Sequence, residues 1–303
     1  KVTKEDVIGA VDPSTGAETG AQVIRQVYPR LGIVPGLILA PGWSQIPEVG
    51  LALAAKAAKI NGVYSAMALL DLDTAKAKKY TDTKSVKEES GYTSPFCYPL
   101  WPCDRVGEYI LAKSAVAGAM IQYMASDNED VPNQSPSNHL LGVGGQCLED
   151  GTEVYLDQDQ ANTVNGYGVT TAINQNGYRL WGNYTGAYPA SSDAKDIWFA
   201  VRRMFSWQGN NFIQTYFDEV DDPMNNVLVQ SVVDSENIRC SAYAPKYWAG
   251  ASIEYKSDDN PKTAILAGTM KFRQHIAPYT PAQEIVDIID YDTDTLAAAV
   301  GGN

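Results

Sequence analysis

Histidine and cysteine are scarce in this 303-residue chain, which has two of the first and four of the second. Zinc chemistry and most acyl transfer would have to pass through His139 or His275, which lie far apart in sequence. Cys97, Cys103, Cys147 and Cys240 show neither CxxC spacing nor the density of a disulfide scaffold. They read as buried or incidental thiols of a reducing compartment. No apolar run reaches the roughly 18 residues a membrane-crossing helix needs, and the opening KVTKED has no signal-peptide pattern. It has no methionine either, which suggests a processed form or a fragment. Positive charge is short as well: 23 Lys plus Arg stand against 36 Asp plus Glu, a net charge of −13. Such a surface repels phosphate backbones, which argues against direct nucleic-acid binding. No GxxxxGK[ST] loop and no HExxH occur. PGWSQ has Ile46 where a nucleophile elbow needs glycine, and GYGVTT has Thr171 where a dinucleotide fingerprint needs its third glycine. No cofactor is implied.

What is present is a folded chain, 45% hydrophobic and 19% charged. Val23, Ile24, Val27 and Leu31 share one helical face over 19–31, with Gly32 after it. GLILAPG is a short apolar run. A helix from Ser44 and Pro47 follows, with Val49, Leu53, Ala57 and Ile60 in register, and then the apolar run VYSAMALLDLD. Strand, helix and strand with continuous apolar strands predict a βαβ unit in a parallel sheet covered on both faces. A Lys-rich helix around 74–89, the run PFCYPLWP, a small-residue helix over 115–125, a loop of turn formers and a short buried strand in LLGVGG extend the pattern. The expected fold is an α/β core domain with an open, largely parallel sheet, followed by a smaller α+β C-terminal module. The division falls at 1–187 and 188–303.

GVTTAINQ and YRLWG flank Asn176-Gly177, the dipeptide of a type I′ hairpin. Alternation puts Tyr178 and Leu180 on one face and Arg179 and Trp181 on the other. Gly177, Arg179, Trp181 and Gly182 are therefore expected to form an interdomain turn, Arg179 and Trp181 bridging the two parts. From Ser191 a long helix carries Ile197, Val201, Met204, Phe205, Phe212, Tyr216 and Val220 close to one stripe, until Asp221-Asp222-Pro223 breaks it. A second helix is expected over 224–243. Strands at 251–256, 269–277 and 283–290 should build a small sheet with an open edge.

Ligands of an open α/β sheet lie beyond the carboxyl ends of its strands, here the loops 40–47, 71–75 and 101–108. They hold Ser44, Asp71, Asp73, Asp104, Arg105 and Glu108. ALLDLDT resembles the nucleophile strand of haloacid-dehalogenase-type phosphatases, in which the first Asp attacks phosphorus and the second is general acid. That pattern wants Thr or Val where Ala75 stands, and its later lysine strand and acidic pair are not evident. A phosphatase-like hydrolase using Asp71 and Asp73 is thus the alternative to a plainer role, ending a strand and capping the next helix. A carbohydrate-binding module, drawing on the 18 tyrosines and six tryptophans, is a third class. Asn183-Tyr184-Thr185 is a formal glycosylation sequon, without meaning in a cytosolic protein.

LGIVPGLILAPGWS, CYPLWP, KSAVAGAM, INQNGYRLWGNYTG and DIWFAVRRM occur in that order, and the ordered set resembles the tail sheath proteins of contractile phage tails and related injection machines. The family's PGLxxAPG strand, S-x-x-A-G helix, G-x-R-x-W-G turn and V-R-R pair correspond to residues 35–42, 114–118, 177–182 and 201–203, and the match runs from about 30 to 290. Tyr184 stands where many relatives have arginine. The resemblance implies a structural protein of virion tails, made and assembled in the bacterial host cytoplasm, not an enzyme. Its subunits form stacked hexameric rings around an inner tube and contract to drive that tube through an envelope. The implied partners are other copies of the chain, linked by exchanged strands, and the tail tube protein, with no direct nucleic acid and no membrane insertion. EIVDIID, with Ile285 and Ile289, is the natural strand donor, and Lys195, Arg202, Arg203, Lys271 and Arg273 are the candidates to meet the tube or an adjacent subunit.

Overall fold

The computed structural model describes residues 1–301. Helix α1 (Lys4–Ile8) starts with a capping box between Thr3 and Asp6. Where one helix is expected over 19–31, a 3-10 segment over 20–26 passes into α2 (Val27–Leu31). Then β1 (Leu37–Leu39), α3 (Pro47–Ala58) and β2 (Met67–Asp71) make the expected βαβ unit, and β3 (Cys97–Leu100) follows α4 (Thr83–Ser90). The strands pair in parallel in the order β1-β2-β3.

Every residue of β2 is buried. Its Ala68 and Leu70 pack with Val49, Leu53 and Ala57 of α3. Met67 and Leu69 face the other way, onto Ala117 and Ile121 of α5 (Lys113–Asp127). Each fully buried leucine contributes about 1.5–3 kcal/mol, which is why so short a strand can anchor two layers.

The parallel sheet stops at three strands, smaller than the sequence suggests, and the remaining strands form antiparallel sheets. One consists of β4 (Cys103–Val106), β5 (Tyr109–Leu111) and β6 (Gly145–Cys147). Two stretches expected otherwise lie here: 101–108 supplies strand as well as loop, and the strand expected in LLGVGG begins only at Gly145. All three residues of β5 are exposed, so it carries none of the alternation that betrays a half-buried strand. The Lys-rich helix also shrinks. Residues between Asp73 and Tyr80 form turns, and Asp73 accepts from the Ala75 amide at 2.9 Å rather than capping a helix. Helix α6 (Gln158–Gly166), capped by Asp157 and Gln160, had no strong apolar stripe to announce it.

The hairpin of β7 (Thr171–Asn174) and β8 (Tyr178–Trp181) turns at Asn176 and Gly177, whose φ values of 54° and 107° suit a type I′ turn. Tyr178 and Leu180 are buried, Arg179 and Trp181 only partly so. Trp181 Nε1 donates to Asn162 Oδ1 of α6 at 2.8 Å, and Arg179 donates to the carbonyls of Asn138 (2.8 Å) and Gln175 (3.0 Å). These partners all precede residue 188, so the two side chains fasten the hairpin to its own half of the chain instead of bridging onward. The link onward is made by backbone: Phe199 N donates to Asn183 O and Thr185 N to Ile197 O, both at 2.8 Å.

The single helix expected from Ser191 is broken at Trp198, which is extended (φ −88°, ψ 121°), into α7 (Ala194–Ile197) and α8 (Phe199–Thr215). Phe199 stacks on Tyr98 at 4.0 Å. Met204 belongs to a third cluster with Val131, Cys240, Tyr247 and Trp248. This cluster joins α8 to α9 (Asn226–Ala242) and to β9 (Trp248–Glu254), which pairs antiparallel, across α10 (Lys262–Leu266), with β10 (Arg273–Pro278). Residues 279–292 have no regular structure, and α11 (Thr293–Ala299) ends the described chain. Among the described residues, the strand expected over 283–290 is not formed.

Gly182 closes the hairpin at φ 153°, and a Cβ there would lie 2.5 Å from Thr170 Oγ1 and 2.9 Å from Asn165 Oδ1. Its carbonyl accepts from Tyr98 Oη at 2.7 Å. Gly182→Ala should destabilise the protein by about 1–3 kcal/mol, read as a lower urea midpoint. An unchanged midpoint would show that this turn does not constrain the core.

Candidate assembly surface

At the carboxyl end of β2 the side chains are engaged with one another. Asp71 accepts from Ser44 Oγ (2.8 Å), Ser114 N (2.8 Å) and Ser114 Oγ (2.5 Å). Burial pushes its carboxyl up, while Ser114 and Ser44 pull the other way. Beside it Lys113 and Asp104 form a fully buried ion pair. These bonds tie the 40–47 loop, β2, β4 and the start of α5 into one block. A nucleophile needs an accessible lone pair, and Asp71 spends its oxygens on this stitching. Asp73 faces its own turn. No group of three His, Cys, Asp or Glu residues that could hold a metal occurs among the described residues. Burial drives the Cys97 thiol up to about 12 and holds His139 below its ordinary value, with Arg179 adding to the latter. The hydrolase reading has no support.

The other end of the molecule offers something different. Glu236 of α9 is buried and accepts from Arg239 (2.6 and 2.9 Å), Gln208 of α8 (2.6 Å), Gln274 of β10 (3.0 Å) and Tyr216 (3.1 Å). Desolvation opposes its ionisation, but the hydrogen bonds and charge of Arg239, with Gln208 and Tyr216, outweigh it and hold the carboxyl below its ordinary value. One carboxylate thus fixes α8, α9 and the hairpin together.

Asn237, next on α9, donates to Ile253 O and accepts from Ile253 N, both at 3.0 Å, standing in for a neighbouring strand. The backbone groups of Ile253 therefore point away from β10. In an antiparallel pair so do those of its register partner Gln274, and, two residues on, those of Ile276. Helix α9 thus caps the outer side of β9 at Ile253, and among the described residues no strand pairs with the outer side of β10.

Close in sequence, but bonded to no ladder, comes the acidic and apolar stretch EIVDIID. Ile285 and Ile289 are 89% and 86% exposed, and Val286 and Ile288 are exposed too. An unpaired edge and an unpaired strand-forming segment thus occur in one chain. Sequence patterning found the segment through its β-branched residues, and among the described residues no strand pairs with it.

The predicted basic residues are scattered by the fold. Lys271 is exposed, with its backbone pinned by Asn260 (2.7 and 2.9 Å). Arg273 is exposed and bidentate to Asp259 (2.9 and 2.6 Å), and His275 beside it meets Glu254 at 2.9 Å. Lys195 is half-buried on α7. Arg202 pairs with Asp196 at 3.1 Å and lies over the Phe96 ring at 4.5 Å. Arg203 is only 7% exposed, so the two adjacent arginines do not form one solvated face.

No family model matches the chain. Among curated proteins it is similar to the tail sheath protein of Burkholderia phage BcepMu, 25% identical over an alignment of 320 residues that covers all of this chain and 65% of that protein. The tail sheath protein of Escherichia phage P2 is 24% identical over 294 residues, covering 93% of this chain and 69% of that one. The chain thus spans about two thirds of the length of these relatives. Among solved structures, the sheath complex of an extracellular contractile injection system in its contracted state superposes with a TM-score of 0.71 at 17% identity, over 91% of this chain and 76% of that one. The fold is shared with that sheath.

Because the Glu236 carboxyl is depressed in the folded state, its contribution to stability is complete above the ordinary value of 4.5 and is lost as pH falls through the folded value. Glu236→Gln should cost roughly 2–3 kcal/mol near neutrality. The difference from wild type in urea unfolding should shrink below pH 4.5; a difference independent of pH would contradict the role given to this carboxylate.

Proposed function

We propose that this chain is a structural subunit of a contractile tail sheath, which polymerises as stacked rings around an inner tube and contracts to drive it through a cell envelope. The observation that carries this reading is likeness to a tail sheath protein over the whole chain. The shared fold with a contractile sheath supports it. In this reading residues 1–187 are the core and 188–303 the assembly module. Its partners are other copies and the tail tube protein, and its place is the tail of a virion or tail-like particle assembled in the bacterial host cytoplasm.

The open edge of β10 and the segment 283–290 suggest how copies join. Laid against β10 of a neighbour, the segment would satisfy Gln274 and Ile276 and bury its isoleucines. Each ladder bond is worth only about 0.5–1.5 kcal/mol net, so one junction is modest and a lattice of them is strong. Such bonds hold while the bodies they connect turn, and a lattice so linked reorganises without coming apart. Exposed Lys271 and half-buried Lys195 are the basic groups best placed to meet an acidic neighbour or the tube, since Arg202 and Arg273 already have acidic partners within the chain.

Proline at position 276 removes an outward N–H while leaving the β9 to β10 bonds intact. Ile276→Pro should cost the isolated subunit no more than about 1–2 kcal/mol. It and a truncation after residue 282 should abolish the cylinders that wild type forms in negative-stain electron microscopy when co-expressed with tube protein. Cylinders from either variant would remove the strand assignment, and globular particles alone from wild type would remove the sheath assignment.

A further inference from the structure

Between β1, α5 and α8 runs a cleft of about 630 Å³ that none of the foregoing roles uses. One wall is β1, an edge strand whose second edge carries no ladder, with Leu37 and Leu39 on it. Facing it, α8 supplies Arg203 and Ser206, three residues apart and so on one side of the helix. Trp207 and Met67 lie beside them, and Gln122, Asp130, Asn211 and Gln214 make the rest of the lining in large part polar.

Both polar side chains lack partners. Arg203 is 7% exposed, yet has neither a carboxylate within ion-pair range nor a hydrogen-bond acceptor among the described residues. Its surroundings are the Phe199 ring at 5.5 Å and Tyr98. Burial lowers its guanidinium to about 10, still far above neutrality, so the charge persists. Ser206, 5% exposed, has an Oγ with no bonding partner. A buried hydroxyl such as that of Ser206 is ordinarily matched, and the Arg203 guanidinium, which keeps its proton, lines the same cleft. The neighbouring polar residue Asn210 shows the contrast, since it bonds both backbone groups of Ser65, at 2.9 and 2.7 Å.

We propose that this cleft is a docking site for an extended polypeptide strand that pairs with the open edge of β1 and delivers a carboxylate to Arg203 and Ser206. One guanidinium and one hydroxyl match the two oxygens and single charge of a carboxylate, whereas a phosphate dianion would want further donors. The free edge of β1 supplies backbone bonds, and Leu37, Leu39, Met67 and Trp207 accept apolar side chains on either side of the acid. The proposal is independent of the assignment of segment 283–290 to β10.

The test uses the capped peptide acetyl-Val-Ile-Asp-Ile-Val-amide and its Asn isostere, titrated into the isotope-labelled chain and followed by amide NMR. The Asp peptide should move the amides of Leu37–Leu39 and Ser206 and bind at least about tenfold more tightly than the Asn peptide. Ser206→Ala should weaken it several-fold, and Arg203→Gln should erase the preference for Asp over Asn. If the latter variant does not fold, Ser206→Ala and the isostere still decide. Equal binding of the two peptides, changes confined to β10, no change up to about 10 mM peptide, or acetate acting on the same amides as strongly as the peptide would each overturn the proposal.

Discussion

Backbone N–H and C=O groups at a strand edge must bond to something, and β9 and β10 meet that demand in different ways. On β9 the side chain of Asn237 fills the place of a neighbouring strand at Ile253. On β10 nothing among the described residues does so for Gln274 and Ile276. Water satisfies outward groups of this kind at little cost, and an added strand can take the place of that water. The same demand explains the segment 283–290, which has the residues of a strand and no ladder to make it one.

The buried polar groups hold neighbouring elements in fixed relation. Glu236 holds α8, α9 and β10 in fixed relation through bonds to Gln208, Arg239 and Gln274. Asp71 does the same for the 40–47 loop, β2 and α5. Removing either carboxylate leaves buried donors without an acceptor, a penalty larger than the net worth of the bonds themselves. These acids give rigidity, and the soft, exchangeable bonds are left to the edges.

The parts of the fold set by local chemistry were legible in the sequence. MALLD is apolar on both faces because helices cover both, and Asn176-Gly177 turns because both residues tolerate positive φ. The parts set by tertiary neighbours were not. Exposed β5 has no alternation to read, α6 is polar along much of its length, and Trp198 breaks a helical stripe for reasons that lie in its pairing with Tyr184. Among the candidate residues, Ile285 and Ile289 lie on the exposed segment, whereas Arg203, indistinguishable from Arg202 by pattern, turns inward. Adjacent residues on a helix point about 100° apart, and only the position of the core decides which one is buried. The motif order from 35 to 203 was informative because it records a whole topology, whereas no single motif within it marks a site.

Hydrogen exchange at the open edge tests the account most directly. Comparing the soluble subunit with assembled sheath, the amides of Gln274, Ile276 and the segment 284–290 should pass from fast exchange to strong protection together, while those of β2 are protected in both states. Continued fast exchange of either partner in the assembled particle would contradict a lattice built on backbone ladders between β10 and the C-terminal segment.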